Sequence, residues 1–127
     1  MINYEPYIVK ALLDDPDVFQ MTDGRIYAGN FPLEESREYP HILVLEMDNV
    51  DKDYEDNKAV SAEIDIQINL WVKADDNIGP LQTAVDKKMK ALNCRRITVS
   101  SFDEDDRSAF RRAFLYRTIV KLKEEDQ

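Results

Sequence analysis

Along this chain, Val60, Ala62, Ile64, Ile66, Ile68, Leu70 and Val72 alternate with Ser61, Glu63, Asp65, Gln67, Asn69, Trp71 and Lys73. A period of two sends successive side chains to opposite faces of a strand. Residues 60–72 therefore predict one long strand with a buried face and a wet face. The average strand is only about five or six residues. A strand of this length extends past its own sheet and offers an edge to another subunit. Just upstream, Ile42, Leu43, Val44 and Leu45 are all apolar and follow Pro40. They predict a strand over residues 41–47 covered on both faces. The acid-rich residues 48–58 between the two strands predict a loop longer than an ordinary hairpin connection.

Helical spacing appears twice. Tyr4, Ile8 and Leu12 share a face, so a helix is predicted over residues 4–14, with Asn3 as its cap and Pro16 ending it. A further helical turn follows over residues 16–20. Ile78, Leu81, Val85, Met89 and Leu92 repeat at three and four, which predicts an amphipathic helix over residues 78–92. Asp75, Asp76 and Asn77 supply its caps, and Pro80 suits its first turn. Asp23-Gly24 marks a turn before a brief extended piece, Arg25-Ile26-Tyr27. Residues 28–39, with Phe31, Pro32, Glu34 and Glu35, read as irregular. Ile97 and Val99 suggest a short strand, and residues 103–107 an acidic turn. A last strand spans about residues 111–121, with Phe114, Tyr116, Thr118, Val120 and Leu122 on one face. The order predicts an α+β domain over residues 1–122: an antiparallel sheet of about four strands with two helices on one face. Residues 123–127 form a charged, frayed tail.

Composition narrows what such a domain does. The 127 residues fit one domain, and 43% hydrophobic content supports a core. No apolar run is long enough to cross a membrane, and the first residues lack the basic-then-apolar pattern of a secretory signal. Formal net charge is −9, which repels nucleic acid and argues against a DNA reader. The single cysteine, Cys94, excludes an internal disulfide.

The residues available for chemistry are few. His41 is the only histidine, so any nucleophilic triad must use it, and its apolar strand suits a structural role. One His and one Cys do not make a zinc site. Asp51, Asp53 and Glu55 alternate as in a calcium loop, but Asp56 stands where the loop glycine belongs and Ala62 where the bidentate glutamate belongs. Three glycines make no phosphate-binding loop. No metal, cofactor or catalytic residue is assigned, and the chain is expected to bind rather than catalyse. The candidate interface residues are Asp51, Asp53, Tyr54, Glu55 and Asp56 in the acidic segment, Trp71 on the polar strand face, and Arg111 and Arg112 in the last strand.

Gly24-Arg25-Ile26-Tyr27, then Tyr39-Pro40 opening an apolar strand, the acidic segment, the long strand Ile64-Asp65-Ile66-Gln67-Ile68-Asn69-Leu70-Trp71-Val72, the helix after it and an arginine-rich final strand follow one layout. From about Tyr4 to Leu122 it resembles the tail completion, or tail terminator, proteins of long-tailed phages and prophages. That resemblance implies a small non-enzymatic α+β protein in the virion tail, at the head-tail joint. It caps the tail tube, joins the tail to the head, or both, as a hexameric ring assembled in the host cytoplasm. Its implied partners are copies of itself, the tail tube protein and the head completion or connector protein, with no membrane. DNA passes through the negative ring without specific binding, because phosphate contacts come from Lys and Arg. Asp51, Asp53, Glu55 and Asp56 are expected to form an assembly loop that is mobile alone and ordered in the ring. A competing reading from composition is an acidic inhibitor or immunity-type protein that masks a basic partner.

Overall fold

The computed structural model describes residues 1–29 and 38–127. Three helices and five strands occur among them: α1 (Glu5–Leu13), α2 (Pro16–Thr22), β1 (Ile26–Ala28), β2 (His41–Glu55), β3 (Lys58–Lys73), α3 (Gly79–Ala91), β4 (Arg95–Glu104) and β5 (Ala109–Lys121). The strands form one sheet in the order β1-β2-β3-β5-β4. The α+β class expected from the sequence is the class observed. The sheet is larger than the pattern predicts, because Ile26–Ala28 pairs parallel with Ile42–Val44 as a fifth, edge strand. A three-residue strand carries no readable periodicity, and only its pairing reveals it. The proposed irregular stretch around Phe31, Pro32, Glu34 and Glu35 lies outside the described residues.

The core is what the alternation in β3 demands. Ile64, Ile66, Ile68 and Leu70 are fully buried, beside Ile42 and Val44 of β2 and Phe114 and Tyr116 of β5. The helices cover this face with Ile8, Leu12, Val18, Leu81, Val85 and Met89. Burial of that apolar surface is the main stabilising contribution. Local signals set the helix ends. Asp15 accepts from the backbone N–H groups of Asp17 and Val18, both at 3.1 Å, as a cap for α2. Asn77 accepts from Gly79 N–H at 2.9 Å, just ahead of α3. Asn3 does not cap α1. Tyr4 occupies that position without a side-chain bond, and Pro6 supplies the preset first turn.

The largest departure from the sequence reading is in residues 48–58. They are not a loop. β2 continues to Glu55, β3 begins at Lys58, and the two pair antiparallel down to Glu55 opposite Lys58. Asp56 and Asn57, at φ 50° and 66°, form the two-residue turn. Two successive left-handed residues match the twist of a tight hairpin, and Asp and Asn tolerate that conformation better than most residues. A bulge at Met47 shifts the register between Glu46 and Asp48. The extra residue resets which side chains point to which face for the rest of the strand. Ser61 is the first residue of β3 in the β5 ladder, opposite Lys121, and Leu122 N–H still donates to the Val60 carbonyl at 2.9 Å, so only Lys58 and Ala59, opposite Glu55 and Tyr54, extend past it. The end of the hairpin therefore projects from the sheet as a two-stranded ribbon.

Candidate assembly surfaces

Alternation along β3 and β5 divides the sheet into a helix-covered face and an open face. Trp71, Asn69, Gln67 and Asp65 point to the open face, and register places Arg111, Ala113, Leu115 and Arg117 beside them. Trp71 is only 8% exposed there, although no helix covers that side. Its cover is polar and aromatic. The His41 ring stacks on it with centroids 4.8 Å apart, and Tyr39 stacks on His41 at 5.1 Å. The Arg111 guanidinium sits 5.7 Å from the Trp71 ring and 4.2 Å from the Phe102 ring. Glu104 accepts from Trp71 Nε1 at 3.0 Å and from Arg111 Nε at 3.0 Å. Arg111 also donates to Asn69 Oδ1 at 3.0 Å. These contacts hold Trp71 and Arg111 together as one patch on the open face.

Arg111 and Arg112 are consecutive strand residues and face opposite ways. Arg112 points to the helix side, where it donates to Gln82 of α3 and to Ser101 at 3.1 Å. It does not belong to the Trp71 patch. Adjacent numbering suggested a cationic pair, and the strand period separates it.

Tyr54, Glu55 and Asp56 occupy the projecting end, and Asp51 and Asp53 lie on β2 just before it, where β3 is still flanked by the β5 side. Asp51, Asp53, Tyr54, Glu55 and Asp56 are all exposed, Tyr54 at 64%. Lys52 and Tyr54 lie on the open-face side, opposite Ser61 and Ala59, and Asp51 lies on the other side, opposite Ala62. Ser61 Oγ donates to Asp53 Oδ2 at 2.9 Å and to the Lys52 carbonyl at 3.2 Å. The segment is thus ladder-paired within a single chain. It is a strand-paired hairpin where the sequence pattern predicts a loop. The sequence signal for this was Asp56-Asn57, a dipeptide suited to a two-residue hairpin turn but hidden among other acids.

Sequence reasoning did not single out β4. Nine of its ten residues are exposed, including Ile97 at 37%, Val99 at 48% and Phe102 at 42%. It is an edge strand paired only with β5. Beside it, Asp86 of α3 gathers Tyr116 Oη at 2.8 Å, Lys90 at 3.0 Å and Arg96 at 2.8 Å. Burial works against the Asp86 carboxylate, but these hydrogen bonds outweigh it and hold its pKa below the ordinary range.

The two residues weighed for nucleophilic chemistry lie on opposite sides of the sheet. Cys94 sits in the helix-side core, where burial pushes its thiol pKa up. His41 sits on the open face. Burial brings its pKa down to about 4, against the opposing effect of the Glu38 carbonyl at 2.6 Å from Nδ1. A thiol held protonated and an imidazole across the sheet from it do not form a catalytic pair. Among the described residues, no helix is long and apolar enough to cross a membrane.

No family model and no curated protein matches the chain. Among solved structures, the fold is similar to a chain of the virion of a native gene transfer agent particle. The TM-score is 0.59 at 13% sequence identity, over 91% of this chain and 92% of that one.

Proposed function

We propose that this chain is a non-enzymatic structural protein of a phage-like virion, and that it completes the tail at the head-tail joint as a ring, hexameric by the resemblance its sequence carries. The observation that carries the reading is the projecting acidic ribbon on a sheet whose far edge, β4, is exposed. Such a molecule has surfaces for neighbours on both sides. A likeness over nearly the whole chain to a gene transfer agent virion component supports the same reading.

In this role the ring caps the tail tube, meets the connector of the head, and assembles in the host cytoplasm. A formal charge of −9 on each copy keeps the passing DNA from sticking, since phosphate-binding cations are outnumbered. The test is electron microscopy of the purified protein mixed with tail tubes. Rings seated on tube ends support the reading. Tubes left bare, with tight binding to a basic protein instead, overturn it in favour of an inhibitor.

A further inference from the structure

The two sides of the sheet differ in charge and run in opposite directions. On one side, β2 beyond Val44 has no strand on its outer edge among the described residues. That stretch carries Asp48, Asp51, Asp53 and Glu55, with Asp56 at the tip. On the other side lies the exposed edge of β4, which starts with Arg95 and follows the cationic end of α3, with Lys87 and Lys88; Arg96 and Lys90 beside them are paired with Asp86, at 2.8 and 3.0 Å. Arg95 forms no ion pair among the described residues. In β4, Glu104 is already neutralised by Arg111 and Arg107, at 3.0 and 3.5 Å.

Geometry matches charge. The order β1-β2-β3-β5-β4, with every pair from β2 to β4 antiparallel, makes β2 and β4 run in opposite directions. Copies placed side by side in one orientation therefore bring β2 of one against β4 of the next as an antiparallel pair. In that direction the basic start of β4 meets the acidic end of β2, whereas parallel pairing would set Asp103 and Glu104 against Glu55. Each edge also has a bulge, at Met47 in β2 and at Ile97 in β4; past it β2 pairs residue by residue over 48–52 before Asp53, at φ 51°, interrupts the run, and β4 does so over 98–104. Both edges expose apolar side chains: Val50 at 47% and Tyr54 at 64% on one, Val99 at 48% and Phe102 at 42% on the other. Long exposed edges with apolar side chains are normally blunted in monomers.

We infer that the partner of the β4 edge is a second copy of this chain: the acidic β2–β3 ribbon of one copy pairs along β4 of the next, so that the sheets run continuously from copy to copy. The contact is heterologous, and it closes into a ring when the rotation per copy divides the circle. The inference rests on the ring reading and names the surface that makes the ring.

Two variants at exposed positions test it, Arg95→Glu with Ser100→Glu on the edge, and Asp51→Lys with Glu55→Lys on β2. Each alone sets like charges against like, and self-association by sedimentation velocity is expected to weaken about a hundredfold. Mixed, each edge meets a ribbon of opposite sign, and assemblies of alternating copies are expected to return. The same samples are imaged with tail tubes. Loss in each variant and recovery in the mixture, in solution or on tube ends, supports the inference. Ribbon variants that still associate alone overturn it, because β4 then pairs with itself about a two-fold axis. Rings on tube ends unaffected by either variant overturn it while leaving the ring function standing. Wild-type protein that associates neither in solution nor on tubes overturns both.

Discussion

Acid should destabilise this protein through His41. The imidazole is fully buried between the Tyr39 and Trp71 rings, and its pKa falls from 6.5 to about 4. Burial is the main cause, and the Arg107 and Arg25 charges push the same way. A folded pKa below the unfolded one means that the unfolded chain binds the proton first. The stability from a neutral His41 is thus fully present above pH 6.5 and is lost as pH falls toward about 4. At 1.36 kcal/mol per pKa unit, the difference corresponds to about 3 kcal/mol across that window. Urea denaturation at steps of pH, on the wild type and on His41→Phe, isolates it. Phenylalanine keeps an aromatic ring in the stack and cannot titrate, while the many carboxylates titrate alike in both proteins and cancel in the difference. The wild type should lose about 3 kcal/mol relative to the variant between neutral pH and pH 4. Curves that stay parallel through the window would refute the reasoning. Asp86 contributes with its own sign and range: its lowered carboxylate pKa gives stability that is present above the ordinary carboxylate range and lost as pH falls below it.

Two further predictions probe the core and the ribbon. Ile66→Ala should destabilise the fold by about 3–4 kcal/mol in chemical denaturation, because the side chain is fully buried at the centre of β3 and its removal leaves a cavity. Asn57→Val should cost about 1–2 kcal/mol locally, because a β-branched residue resists the left-handed φ of 66°. Amide exchange should speed up in the ribbon with little change in β5, and equal acceleration in both would contradict a ribbon that opens on its own.

The sequence pattern was legible wherever one face of an element is apolar over many residues. The alternation in β3 gave its span to within two residues at its start and one at its end, and the three-and-four spacing gave α3 to within one residue at each end. It failed where pairing, not burial, makes the strand. In residues 48–55 most side chains are exposed, so no period of buried positions exists to be read, and in 95–104 Ile97 and Val99 mark the strand but not its length. There the ladder is held by backbone bonds to a neighbour that is itself regular. The same limit governed the site. Trp71 was correctly placed on the strand face away from the aliphatic core, but its cover by His41, Arg111 and Glu104 comes from β2, β5 and β4 and is written in no local spacing. Arg111 and Arg112 looked like a pair by adjacency and are separated by the thickness of the sheet.

Trp71 is the chain's only tryptophan, and it lies under a thin layer of side chains on the face that the helices leave open. The protein thus carries its own optical probe at that surface. Indole emission depends on the polarity of its surroundings and on the charge of nearby groups, so anything that displaces Arg111 or reorients His41 changes colour or intensity without an added label. Motions confined to the aliphatic core on the other side of the sheet leave that signal unaltered. One spectrum therefore distinguishes events on the two faces of the molecule.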